Sequence, residues 1–373
     1  MDNLTHTLFG LTLSRTPLGR AGRGVTTALV LASNAPDIDI ITTVRGGASY
    51  LQWHRGPTHG PLGIIALGLL TAALVRGGQR VADRRTTRAP DDPEAPFGML
   101  VAASLVGVFF HILMDFPTSY GTRLLSPFSW HWFATDLMPI VDVYLIIVLV
   151  AGLLFGAASA EARRRNVAIV FVLMAANYGV RAVAHQQAIG LAPRVFGPLL
   201  PRPCEPGHND RSLVSVWPRS VSATMPPGSL GSRCLIEVAA IPSFFSPFRW
   251  RLIAQLSNSY DMHDVDVLDA RLREPPGAGA APWRVTVRYP NVWGPPVHQA
   301  ADARIAQVFL GFSRFPAARS FFDPATEIAT VRWVDVRFAA GLTLDQRLGR
   351  SGLFQATVRV DQNGRLVEER LGQ

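Results

Sequence analysis

The sequence has no lysine; all 36 of its basic residues are arginine. That absence excludes Schiff-base chemistry and a phosphate-binding loop built on lysine. Two cysteines, Cys204 and Cys234, are too few for a four-thiolate metal site. Charge is also scarce: 17% of the 373 residues are charged, where a soluble globular domain carries about 25%. With 48% hydrophobic residues, a disordered chain is excluded and an all-soluble enzyme is disfavoured. No amino-terminal leader with a small-residue cleavage site is evident.

What the sequence has instead is long apolar runs, all before residue 190. Pro61–Val75, Gly98–Met114, Pro139–Ser159 and Asn166–Val183 are nearly uninterrupted, and Val25–Ile41 is a weaker fifth. A bilayer core takes roughly 20 residues of helix. Buried helices of a soluble protein are the alternative, but so many runs in so short a stretch leave little polar surface. Arginine bias then sets orientation, because short cytoplasmic loops are enriched in basic residues. Eleven arginines fall in three segments: Arg15, Arg20 and Arg23; Arg76, Arg80, Arg84, Arg85 and Arg88; and Arg163, Arg164 and Arg165. The alternating segments hold Arg45, Arg55 and Arg123. A simple alternating topology puts all three rich segments on the cytoplasmic side. The net charge of +9 thus follows from topology, and no nucleic acid partner is expected. Gly19–Gly24 is glycine-rich but follows no strand, so it is no phosphate cradle.

The expected architecture is a membrane α-helical bundle of about five crossings over residues 1–190, with a short amino-terminal helix at Asp2–Leu13. A proline-rich linker over 191–230 follows, then a small β-rich α+β domain over 231–373, outside the cytoplasm. Strand-like runs there are Cys234–Ile241, Arg251–Leu256, Val265–Leu272, Trp283–Tyr289, Thr330–Phe338 and Phe354–Val360. Ala301–Phe312 has helical spacing, and Asn363-Gly364 signals a terminal hairpin. A Cys204–Cys234 bridge fits an oxidising compartment, with two independent thiols as the alternative.

The histidines and aspartates of the first half are grouped. Asp37 and Asp39 lie in a DxD pair, and His54 and His59 bracket HRGPTH. His111 and Asp115 stand four apart, so they share a helix face. Asp136 and Asp142 flank the start of the fourth run, and His6 sits in the short first segment. Each group has a plain reading: a DxD pair as a turn or cap, His111–Asp115 as a hydrogen-bonded pair, a lone amino-terminal histidine as incidental. The alternating topology brings them to one depth at the outer end of the crossings, and His6 joins them if its segment crosses partly with its amino terminus outside. Ionisable groups at such a depth are expensive and usually functional. Imidazole with carboxylate suits zinc first, and manganese or iron as alternatives.

The motifs MDNLTHTLFG, NAPDIDI, HRGPTHG, HILMDFPTSYGTRLLSPFSW and IVDVY, over about residues 1–150, resemble the YdjM-type family of inner-membrane proteins described as metal-dependent hydrolases. The resemblance implies a polytopic membrane protein, hydrolysis, and a metal site at His6, Asp37, Asp39, His54, His59, His111 and Asp115. Gly60 departs from the pattern, where a small hydroxyl residue is expected. On this reading Asp37 or Asp39 bridges ions or serves as general base to hydrolysis by a metal-bound water. Arg55 holds an anionic leaving oxygen, and Asp142, with Asp136, supports the ligands from behind. The expected partners are membrane lipid and a small or lipid-linked substrate, a phosphoester first. A metal- or proton-linked transporter is the rival, disfavoured by the lack of charge within Gly98–Val108 and Tyr144–Ser159; Arg181 and His185 fall near the end of the last run. A structural envelope protein with a metal staple is the third. Trp130, His131 and Trp132 read as interface anchors. Tyr260, Asp261, His263, Asp264 and Asp266 read as a solvated turn before a strand, with a second metal site as the sharper alternative.

Overall fold

The computed structural model describes residues 1–85, 93–155, 159–196, 203–204, 213–218, 234–269, 287–339 and 354–372. Most of the expected linker, Arg88 and the start of the Trp283 run lie outside these residues. The chain forms two compact units. The first comprises residues 1–41, 53–183 and 244–247, the second 42–52, 184–243 and 248–373.

The helices in chain order are α1 (Asn3–Ser14), α2 (Val25–Ala32), α3 (Gly47–Trp53), α4 (Pro61–Asp83), α5 (Phe97–Asp115), α6 (Val143–Leu154), α7 (Ala160–Gly190) and α8 (Ala192–Val195). Three of them, α4, α5 and α7, are long and apolar enough to cross a membrane. At 12 residues, α6 is apolar but shorter. The Val25 run departs most from expectation. Its helix stops at Ala32, and Ala35–Arg45 continues as 3-10 turns. Asn34-Ala35-Pro36 explains the stop, since proline disfavours a helical residue before it and donates no hydrogen bond.

Local chemistry sets the helix ends. Asp2 caps α1 by accepting from the Thr5 backbone N–H at 3.0 Å. Asp142 caps α6 through Leu145 at 2.8 Å. Pro61 opens α4, where a missing N–H costs nothing. Small residues let the helices close on one another. A Cβ on Gly107 of α5 would stand 2.7 Å from the Ala32 Cβ of α2, and one on Gly68 of α4 would stand 2.6 Å from Leu105 of α5. The core of this unit runs through Phe9, Leu29, Leu100, Met138, Leu145 and Met174. The outward faces stay apolar: Leu62, Ile65, Leu69 and Leu74 of α4, and Val172 and Val183 of α7, are exposed. Such a surface suits lipid rather than water.

In the first unit a short strand, β1 (Trp132–Ala134), lies in the loop between α5 and α6. Trp132 is fully buried there rather than an exposed anchor. The second unit contains β2 (Ser215–Trp217) and two antiparallel sheets, with α9 (Pro295–Ala301) and α10 (Arg304–Phe312) between them in sequence. One sheet has the order β3 (Leu235–Pro242), β4 (Arg249–Leu256), β5 (Ser259–Asp266), β6 (Val287–Pro290). The other has the order β10 (Leu366–Leu371), β9 (Gln355–Asp361), β8 (Ile328–Asp335), β7 (Pro316–Asp323). β9 and β10 are the terminal hairpin, turning at Gly364 with φ +76°. Cys204 and Cys234 are joined by a disulfide.

Candidate metal centre

Three stretches of the first unit meet at one point: the 3-10 segment after α2, the His54–His59 loop before α4, and the last turn of α5. Among the described residues, one ligand atom from each of Asp37, His59, His111 and Asp115 lies within 4.8 Å of the others. The Nε2 atoms of His59 and His111 are 3.2 Å apart. Asp115 Oδ2 is 3.4 Å from the first and 3.5 Å from the second. Asp37 Oδ1 is 3.8 Å and 3.6 Å from the same two nitrogens. Three of the four side chains are buried, and Asp37 is partly open.

The rings are aimed from behind. His111 Nδ1 donates to the Ser33 carbonyl at 2.8 Å, which leaves a lone pair on Nε2. His59 Nδ1 lies 3.0 Å from Thr58 Oγ1 and 3.7 Å from Asp39 Oδ2. This is the support that metal-binding histidines usually have. A single shared proton would satisfy the two nitrogens but not the two carboxylate oxygens beside them. A divalent cation satisfies all four. The cluster can therefore bind a divalent metal, and its donor set fits one.

The other residues expected at the site fall around this group. His6 stacks on His111 with ring centroids 3.8 Å apart, and its Nε2 is 3.4 Å from Asp115 Oδ1. Neither of its ring nitrogens has a hydrogen-bond partner among the described residues. Asp39 is not among the four close atoms. Its Oδ1 holds His54 Nδ1 at 3.0 Å, and its Oδ2 accepts from the Arg55 backbone N–H at 2.7 Å. His54 therefore faces Asp39 rather than the group. Arg55, with φ +50°, turns its guanidinium inward. It pairs with Asp115 Oδ2 at 3.1 Å and donates to Thr118 Oγ1 and the Gly121 carbonyl. Those contacts make Arg55 a clamp on Asp115.

Among the described residues, the contacts of Asp142 are not to the histidines. It caps α6 and pairs with the buried Arg181 at 2.5 Å, so its charge is already used. Asp136 is buried in the same loop, in a left-handed conformation. Gly60 has a steric reason: a Cβ there would stand 1.8 Å from the Ser126 carbonyl oxygen. Several contributors carried no signal in the sequence. The Ser33 and Gly121 carbonyls are backbone groups, and the Met1 amino group lies against Asp115. Thr58 is part of HRGPTHG, but nothing in that motif says that its hydroxyl meets His59 Nδ1. Arg123 donates its backbone N–H to the Arg55 carbonyl and stacks over Trp132 at 4.4 Å. Burial pushes its guanidinium down to about 10.

The second unit's acidic stretch is β5 itself. Its acids pair with arginines on neighbouring strands: Asp261 with Arg288 at 2.6 Å, Asp264 with Arg251 at 2.8 Å, and Asp266 with Arg249 at 3.5 Å. The turn expected there is thus a strand, and its charges are balanced across the sheet.

Comparison with known proteins places the first unit. The model of the YdjM inner membrane protein family matches residues 1–188. The uncharacterized protein YfhP of Bacillus subtilis is 27% identical over 161 residues, which is 41% of this chain and 45% of that protein. The match thus spans less than half of that relative's length. No solved structure matches.

Proposed function

This chain belongs to the YdjM inner membrane protein family, and from that premise we propose that it is a membrane-bound, metal-dependent hydrolase. It acts at the outer face of the inner membrane, on a phosphoester or another lipid-linked substrate. The observation that carries the reading is the convergence of Asp37, His59, His111 and Asp115 within 4.8 Å. These four hold the ion, with zinc first for a compact nitrogen and oxygen set and manganese or iron next. A bound divalent ion polarises the scissile bond and acidifies water.

The rest is the work of the chain. Ser33 and Thr58 fix the histidine rings, and Arg55 holds Asp115 in place. Asp37, the partly open member, marks the side from which water and substrate arrive. Asp39 orients His54, which is partly exposed and carries the proton to or from the substrate. His6 faces Asp115 Oδ1, against which the Met1 amino group also lies, and would serve a second ion only in place of that amino group.

The arginine-rich turns support a topology with those turns inside and the site outside. In it α4, α5 and α7 are full spans, the shorter α2 and α6 complete about five crossings, and α1 is the short amino-terminal helix beside them. The carboxy-terminal unit then lies outside the cytoplasm, which the disulfide favours. The test is hydrolysis of bis(p-nitrophenyl) phosphate and of a short-chain lipid phosphate by purified protein loaded with zinc or manganese. Asp37→Asn and chelation should each lower the rate about a hundredfold. His54→Gln should lower it by a similar factor while the metal stays bound. Equal rates in wild type and Asp37→Asn would end the hydrolase reading.

A further inference from the structure

A second site lies in the first unit, among arginines that the metal centre does not use. A cavity of about 280 Å³ is lined by Ser14, Arg15, Thr16, Arg20 and Arg163. These residues come from the last turn of α1, the 3-10 turn after it, and the start of α7. Three arginines line it, and no acidic residue does among the described residues. Like charges brought together repel, and nothing in the lining offsets them.

Arg15 is held in place. Its two terminal nitrogens donate to the Gly152 and Leu153 carbonyls at 3.0 and 2.7 Å, satisfying the end of α6. The hydroxyls of Ser14 and Thr16 donate to the Leu11 and Leu13 carbonyls, each at 2.7 Å. They offer no donor to a ligand, so recognition falls to Arg20 and Arg163. Neither has an acidic partner among the described residues. Guanidinium matches phosphate oxygens in pairs. The cavity is large enough for a phosphate group but small for a drug-sized molecule. Leu154 and Phe155, which follow directly on the carbonyls that Arg15 holds, are exposed apolar side chains, as a site for a lipid headgroup requires.

We propose that this cavity binds a phosphate group, carried by the headgroup of an anionic phospholipid. The proposal is independent of the hydrolase reading. The test uses full-length protein in a mild detergent, exchanged with phosphatidylglycerol or phosphatidylethanolamine and weighed by native mass spectrometry. The expected result is preferential retention of phosphatidylglycerol. The double variant Arg20→Gln/Arg163→Gln should weaken it roughly thirtyfold, with metal content unchanged. Arg15 is left in place because it caps α6. Inorganic phosphate, titrated in parallel, separates the sources. If it displaces phosphatidylglycerol at millimolar concentration, the site reads the phosphate alone and a soluble ester also fits. If it does not, the lipid is the ligand. Equal retention of both lipids by wild type, with no phosphate binding, overturns the proposal without any variant.

Discussion

Asp115 is the most heavily used side chain of the metal centre. It is fully buried and faces Arg55, His6, His59 and His111 as well as the Met1 amino group. Arg55 is almost as buried, so the pair is costly to break from one side. Arg55→Met should lower stability by about 3–5 kcal/mol, read as thermal unfolding in detergent. A change under about 1 kcal/mol would contradict the clamp. Gly60→Ala should also destabilise, because its Cβ would meet a backbone oxygen that cannot swing away. All four clustered residues were among the candidates that spacing and topology picked out, but nothing in the sequence separated them from His6, Asp39 and His54. Asp142 also carries the signature of a helix cap, an aspartate just before an apolar run, and it caps α6 and pairs with Arg181. The Ser33 carbonyl could not be found by any reading of side chains.

At the scale of elements, the site depends on how closely α2 approaches α5. Gly107 stands one turn before His111, against Ala32. Gly107→Val should push the helices apart and move His111 away from Ser33. Metal affinity should fall about 10–100-fold with every ligand intact, as measured by competition with a chromophoric chelator. Unchanged affinity would mean that the α2–α5 contact does not position the ring. The long spans were readable from their uninterrupted apolar runs and most strands from alternation, but β5 lies over the stretch expected to be a turn before a strand at Val265–Leu272. Strand β7 was not readable, because Arg319, Ser320, Phe321 and Phe322 are exposed in succession and break the alternation. The helix expected over Val25–Ile41 was half right: its apolar content says little once Pro36 is weighed.

The whole molecule carries a unit of helices long and apolar enough to cross a membrane and a disulfide-bonded β-rich unit. If the second unit lies outside, Cys204 and Cys234 should resist maleimide labelling in intact cells until a reductant is added. Labelling without reductant would place them in the cytoplasm. The fold class was readable because composition changes sharply near residue 190. What could not be read was the closing of three separate segments on one point, since that depends on helix packing. The most direct test of that closure is the metal content of detergent-purified protein, wild type beside His59→Ala and His111→Ala. The account predicts about one or two ions per chain in the wild type and loss of the ion in both variants. Wild-type protein that holds no metal without chelators, and takes up none from added zinc or manganese, would contradict it.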